Sequence, residues 1–144
     1  MIKGYSISSD QSQMDLDAIH DYLSQAYWCA GVPRETLATA LHNSLCFGVF
    51  FATEQVGFAR LVTDKATFAY LADVYILEQH RGKGLSKWLM QEIMQHPENQ
   101  GLRRIVLATR DAHNLYAQYH FKALTDPDIF MQLWNPDVYK AVEN

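Results

Sequence analysis

The string Arg81-Gly82-Lys83-Gly84-Leu85-Ser86 sets two glycines and two cations where a strand gives way to a helix. Residues 67–77 before it read as one long strand. Leu85, Trp88, Leu89 and Ile93 after it recur at helical spacing. A helix starting there presents unpaired backbone N–H groups, and its dipole adds to their pull on negative charge. Gly82 and Gly84 let the backbone turn and come close to a phosphate with no Cβ between. The chemistry indicated is diphosphate binding. A P-loop needs Gly-x-x-x-x-Gly-Lys-Ser/Thr, which is absent. The dinucleotide pattern Gly-x-Gly-x-x-Gly also fails, because Lys87 stands where its third glycine would be. An ordinary strand-to-helix turn with a solvated basic pair is the simpler reading of the same residues.

The string resembles the acyl-CoA loop of the GNAT superfamily of N-acetyltransferases, Arg/Gln-x-x-Gly-x-Gly/Ala. Ser86 departs at the last position but keeps its N–H. A second segment, Asp111 to Phe121, resembles that family's Ala-x-x-x-Tyr-x-x-x-Gly-Phe helix. Ala112, Tyr116 and Phe121 fall in register, and His120 replaces the glycine. The resemblance implies a GNAT-like fold, acetyl-CoA as cosubstrate and a primary amine, on a small molecule or a peptide, as acceptor. It implies that Arg81, Gly82, Lys83, Gly84, Leu85 and Ser86 hold the diphosphate. Val74, Tyr75 and Ile76 would bind the pantetheine arm and polarise the thioester through backbone groups of a strand splayed from its neighbour. An acyl-CoA-binding regulatory module without turnover is the alternative.

In many family members the tyrosine matching Tyr116 is the general acid. A phenol with a reference pKa of about 10 is protonated at neutral pH and can share that proton with the sulfur as the C–S bond breaks, although a free thiolate, whose thiol lies near about 8.5, is the weaker base. Plain packing is the competing role for Tyr116, and Tyr119 is the neighbouring phenol that could be mistaken for it. Asp73 is the carboxylate candidate for the base. Some members carry a Glu-Asp pair here, but Ala72 occupies the Glu position. Strand alternation points Asp73 away from the face of Ala72 and Val74, so a structural role and a catalytic one stand level. The acceptor pocket would draw on Tyr27, Trp28, Arg60, Asp64, Tyr70 and Phe130. For Tyr27-Trp28 core packing is the favoured reading. For Arg60 solvent is favoured over a substrate carboxylate.

These residues need elements to position them. A strand over residues 2–8 precedes a helix starting near Asp15, with Leu16, Ile19, Leu23 and Tyr27 on one face. Pro33 suits the first position of a second helix carrying Leu37, Ala40 and Leu41. Residues 45–53 and 56–62 form an antiparallel hairpin about Glu54-Gln55. The helix after the glycine loop ends near Pro97, and residues 105–108 form a short buried strand, parallel if a crossover joins it. Asp111 caps a helix through Tyr119, and a last strand or hairpin covers 121–133. The class is mixed α/β (an α+β three-layer arrangement), with a mixed central sheet flanked by helices and a βαβ unit in its second half.

The chain has 144 residues, 49% hydrophobic and 19% charged, fitting one domain over 1–144 with a sizeable core. A net charge of −4 argues against a nucleic-acid partner. No apolar run reaches membrane-span length and the start lacks a secretory signal, so no membrane partner is expected and the cytoplasm is the expected location. The six histidines and Cys29 and Cys46 show no metal-ligand spacing, and neither cysteine has an evident His partner for nucleophilic catalysis. A homodimer is compatible with all of this.

Overall fold

Alternating and apolar stretches of the chain pair into one five-stranded sheet in sequence order. They are β1 (Tyr5–Ser8), β2 (Leu45–Phe51), β3 (Glu54–Thr63), β4 (Phe68–Ile76) and β5 (Arg104–Leu107). The structure is a computed structural model and describes residues 1–140. Short connections keep β2, β3 and β4 antiparallel, while β5 lies parallel to β4. A parallel neighbour requires a crossover, and α3 (Leu85–Gln95) supplies it.

The faces sort by side-chain periodicity. Ile19 and Leu23 of α1 (Leu16–Leu23) and Leu37 and Leu41 of α2 (Arg34–His42) pack with Cys46, Phe58 and Tyr75 on one face. Leu85, Leu89, Met90 and Ile93 of α3 pack with Phe47, Leu61 and Leu71 on the other. Cys46 and Phe47 are adjacent yet serve opposite layers, as the two-residue strand period requires. The result is the three-layer mixed sheet expected from the sequence. Asp15 caps α1, accepting from the Ala18 N–H at 3.1 Å, and its own N–H donates to Gln55 Oε1 at 2.8 Å. Gln55 is buried and donates to Gly57 O at 3.1 Å, which fastens the first helix to the β2–β3 hairpin. Pro33 precedes α2 instead of opening it, with ψ at 147°.

Two expectations at the C-terminal end are corrected. Asp111 does not cap α4 (His113–Ala117): Ala112 is the cap residue, and its N–H donates to Thr109 Oγ1 at 3.0 Å. No strand covers 121–133 among the described residues, where a 3₁₀ turn at Pro127–Ile129 is the only regular element. Pro127 lacks the N–H that a ladder needs, so the apolar residues around it do not extend the sheet.

His120 takes φ +72°, the left-handed conformation that glycine usually supplies. Around it the Phe121 N–H reaches Tyr116 O at 3.3 Å and the His120 N–H reaches Ala117 O at 3.2 Å. The rings of Tyr116 and Phe121 lie 6.0 Å apart. This is a Schellman ending with its hydrophobic contact, built on a histidine. His120→Gly should therefore stabilise the protein by about 1 kcal/mol, since a side chain in this region costs roughly 1–2 kcal/mol. A thermal melt should rise by roughly 2–4 °C; an unchanged or lower midpoint would show the imidazole to be otherwise useful.

Candidate active site

The sheet is interrupted where β4 approaches the glycine loop. β3 and β4 pair Arg60 with Ala72, then Phe58 with Tyr75, so β4 spends one residue more than β3. That extra residue is a β-bulge, and Asp73 within it has φ +56°. Aspartate tolerates the left-handed region better than most residues. The bulge resets the alternation: Leu71 faces the α3 layer before it, Val74 and Ile76 after it. Asp73 consequently turns to the α1–α2 side, the side of Ala72, and the face expected from simple alternation is wrong.

There its carboxylate is fully engaged. Arg60 Nε donates to Oδ2 at 2.6 Å and Trp28 Nε1 to Oδ1 at 2.8 Å. Arg60 Nη1 also donates to Ser44 Oγ at 3.1 Å. The side chains are 8% exposed for Asp73 and 18% for Arg60, so the arginine does not face solvent as its sequence context favoured. Removing one partner of such a pair leaves the other charge mostly buried and unpaired. Asp73→Asn should lower stability by about 2–3 kcal/mol, seen as a melting point down by roughly 6–9 °C. An unchanged melting point with lost turnover would instead mark Asp73 as chemical.

Beyond Leu71 the sheet opens. The β4–β5 ladder ends at the pair Leu71–Leu107, while β4 runs on to Ile76 bonded only to β3. The β4 edge from Ala72 to Ile76 therefore faces a cleft instead of a strand. The Ile76 carbonyl is taken by Arg81 Nε at 2.8 Å, and Arg81 Nη2 donates to Tyr22 Oη at 3.2 Å. Arg81 thus braces the loop against the strand end. The ring of Tyr75 stacks on Tyr22 at 3.9 Å between centroids, and burial pushes its phenol well up. Tyr75 can offer the cleft its backbone, not its hydroxyl.

The glycine loop continues the same wall. Gly82 has φ +79° and Gly84 φ +87°, and Gly84 is the residue before the first turn of α3. Among the described residues, no backbone N–H from Gly82 through Lys87 has a protein acceptor, and the first bond of the helix is Trp88 N–H to Gly84 O. Six consecutive donors stand together at a helix N-terminus. A Cβ at Gly82 would meet nothing within 4 Å. A hollow of about 330 Å³ lies here, lined by Arg81, Gly82, Gly84, Leu85 and Ser86. Lys83 is exposed beside it. Leu85 buries its side chain in the core, leaving its N–H at the hollow.

Arg81, Ile76 and Ser86 also line a larger cleft of about 780 Å³ that follows the open strand edge. Tyr116 reaches it from α4. Its ring is 8% exposed, and its hydroxyl makes no hydrogen bond among the described residues. Burial, then the charge of Asp111, raises its pKa, so the group stays a protonated donor. Tyr119 differs: its hydroxyl donates to Lys87 O at 2.7 Å and is spent on structure.

Tyr27, Trp28, Arg60 and Tyr70 all line this cleft. Tyr27 and Trp28 are 58% and 43% exposed, so they are wall residues and not core. Their rings meet edge-on at 5.0 Å, and the Arg110 guanidinium lies 4.0 Å above Tyr27. Asp64 and Phe130 are elsewhere. Asp64 accepts from Thr67 Oγ1 and from three N–H groups in the β3–β4 turn, and those bonds lower its pKa. Phe130 sits under Arg104, 5.1 Å from its guanidinium.

Sequence reasoning missed Arg110, Asp111, Tyr22, Cys29 and Tyr139, all of which line the cleft. Only Arg110 and Asp111 carried a signal, their place between a strand end and the helix of Tyr116. Cys29 is the surprise, since it lies far from both motifs in sequence. Its Sγ donates to Leu23 O at 3.2 Å, and burial pushes the thiol up to about 11, so it stays a thiol at neutral pH.

The sequence model of the acetyltransferase (GNAT) family matches residues 13–123. A crystal structure from Xanthomonas campestris pv. campestris, named as a GNAT-family acetyltransferase, superposes with a TM-score of 0.94. It is 45% identical and covers 98% of this chain and 100% of its own. A Gibberella zeae protein named as an acetyltransferase is 33% identical, over 79% of this chain and 76% of that relative. N-acetylglutamate synthase from Neisseria gonorrhoeae, solved with coenzyme A and L-arginine, shares the fold at a TM-score of 0.69. Its identity is 17%, and the match covers 89% of this chain and 29% of the synthase.

Proposed function

Because this chain belongs to the GNAT acetyltransferase family, we propose that it passes the acetyl group of acetyl-CoA directly to a primary amine while both are bound. The carrying observation is a convergence of two adjoining hollows that share Ile76, Arg81 and Ser86: an unpaired strand edge and one uncommitted buried phenol in the larger, and free loop amides at the smaller. Acetyl-CoA supplies the acyl group; the rest falls to the chain. Amides of Gly82 to Lys87 hold the diphosphate, with Arg81 bracing the loop and Lys83 adding charge. The free edge at Val74, Tyr75 and Ile76 aligns the pantetheine arm, and an N–H there stabilises the carbonyl oxygen as it gains charge. The amine nitrogen bonds to the carbonyl carbon, the C–S bond breaks, Tyr116 gives its proton to the sulfur, and the phenolate takes a proton back from water.

The state of the thiols supports direct transfer. Burial holds both Cys29 and Cys46 at about 11, and neither has a histidine to activate it. Asp73, tied to Arg60 and Trp28, acts here as a positioning residue for the cleft wall. Asp111 lines the cleft with no hydrogen-bonded or ionic partner among the described residues, which favours an acceptor that arrives as a cation.

With no free acid at the bulge, the amine reacts as its neutral form and its proton leaves to water. The value of kcat/KM should then rise with pH toward the pKa of the free amine, and the limb should move when amines of different pKa are compared. Burial raises the pKa of Tyr116, which favours its protonated form as pH rises. A limb fixed at one pH for every amine, and abolished in Asp73→Asn, would make Asp73 the base.

The proposal is tested by mixing protein and acetyl-CoA with a panel of amino acids, polyamines, aromatic amines and peptide N-termini, and measuring thiol release. Release with at least one class is expected. The engaged state of Asp73 favours one other reading, a regulatory module that binds acetyl-CoA without turnover. Tight acetyl-CoA binding with no release across the panel would select it.

A further inference from the structure

Arg60, Arg81 and Arg110 all line the larger cleft. The first two are committed. Arg60 holds Asp73 and Ser44, and Arg81 holds the Ile76 carbonyl and the Tyr22 hydroxyl. Arg110 differs. Its guanidinium makes no hydrogen bond or ion pair among the described residues, and it rests 4.0 Å above the Tyr27 ring. A guanidinium stacked on an aromatic face keeps its N–H donors in its own plane, where they match the two oxygens of a carboxylate. The seat is itself supported. Tyr27 meets Trp28 edge-on at 5.0 Å, and Trp28 Nε1 donates to Asp73 at 2.8 Å.

Asp111, the next residue, is the cleft's second uncommitted charge. After burial, its charge is what raises the Tyr116 pKa. An ammonium drawn to Asp111 therefore arrives near the proposed proton donor. Opposite charges on consecutive residues fit a ligand that carries both. They disfavour a polyamine, whose second cation would be repelled by Arg110. Val32, Leu37 and Tyr70 line the same cleft, so what accompanies the two charges is apolar.

We propose that the acceptor is an α-amino acid with an apolar side chain, its carboxylate bound by Arg110 on the face of Tyr27 and its ammonium drawn in by Asp111. The product is then the N-acetyl amino acid. This rests on the acetyl-transfer reading above. An exposed ion pair contributes little. A bidentate carboxylate covered by bound substrate gains a charged hydrogen bond, roughly 10–100-fold in affinity.

Calorimetry on the full chain with CoA bound compares leucine and phenylalanine with their decarboxylated amines, isopentylamine and phenethylamine. The acids should bind roughly 10–100-fold more tightly. Arg110→Gln, at an exposed position, should keep its melt and lose that gap, each acid falling to the level of its amine. Comparing one ligand on two proteins cancels differences in amine pKa. Arg110→Glu should reverse the preference. Amines that bind the wild type as tightly as the acids, a gap that survives Arg110→Gln, or no binding of either acid at millimolar concentration overturns the proposal. Thiol release from acetyl-CoA separates it from the reading beneath it. Release with the amines and not the acids overturns the proposal and leaves acetyl transfer standing. Binding of the acids that depends on Arg110, with no release, upholds the carboxylate seat and overturns transfer.

Discussion

Tyr116→Phe should lower kcat by roughly 10²–10⁴-fold while acetyl-CoA binds as before. The substitution keeps the ring, which is 8% exposed and packs against Phe121, so the helix ending and the cleft wall persist. It removes only the hydroxyl. That hydroxyl has no protein partner among the described residues, so its loss leaves no donor or acceptor stranded. The effect should fall on the step in which sulfur takes a proton, and so on kcat more than on KM for acetyl-CoA. Tyr119→Phe is the control. Its hydroxyl is bonded to Lys87 O, and its loss should cost about 1 kcal/mol of stability with little change in rate. Reversed outcomes for the two tyrosines would put the proton donor at Tyr119, three residues from the proposed one.

Gly84→Glu should abolish acetyl-CoA binding. At 100 times the dissociation constant a ligand stabilises by about 2.7 kcal/mol, and the variant should show none of that shift. Two effects must be kept apart. Gly84 has φ +87°, so any side chain strains the backbone there, by roughly 1–2 kcal/mol. A Cβ itself meets only Ile2 Cδ1, at 3.9 Å, so no clash adds to this. Gly84→Ala carries the strain alone and should melt lower yet still respond to acetyl-CoA. Gly84→Glu adds a carboxylate among six free N–H groups, where it competes with the diphosphate and repels it. A full thermal response in Gly84→Glu would move the anion site elsewhere.

Much of this was legible in the residues because local pattern and global packing agree. The antiparallel β2–β3 pair, the helix from Leu85 to Gln95 and the parallel β5 follow from spacing, but the hairpin turn falls at Ala52-Thr53, and Glu54 and Gln55, expected to form it, open β3. The loop was legible because Gly82 and Gly84 are needed where φ is positive. The histidine at 120 could be suspected of the same conformation, and it adopts it. What could not be read depends on register. The bulge at Asp73 arises from a mismatch between β3 and β4, and no residue on β4 alone announces it. With it went the true face of Asp73, the pairing of Arg60 and the docking of Trp28, each a contact between residues far apart in sequence. The missing last strand fails for the opposite reason: its apolar residues are real, but the turn at Pro127–Ile129 interrupts them and no ladder forms there among the described residues.

In direct transfer the acetyl group passes from acetyl-CoA to the amine with no covalent stop on the enzyme. Mass spectrometry of protein and small molecules, with acetyl-CoA alone and then with an active amine, tests it most directly. Without amine, the protein mass should stay that of the unmodified chain. With amine, free CoA and the acetylated amine should appear in equal amounts, and Tyr116→Phe should slow both together. An acetylated protein that forms with acetyl-CoA alone and discharges when amine is added would contradict direct transfer, and Cys29 would be the first place to look.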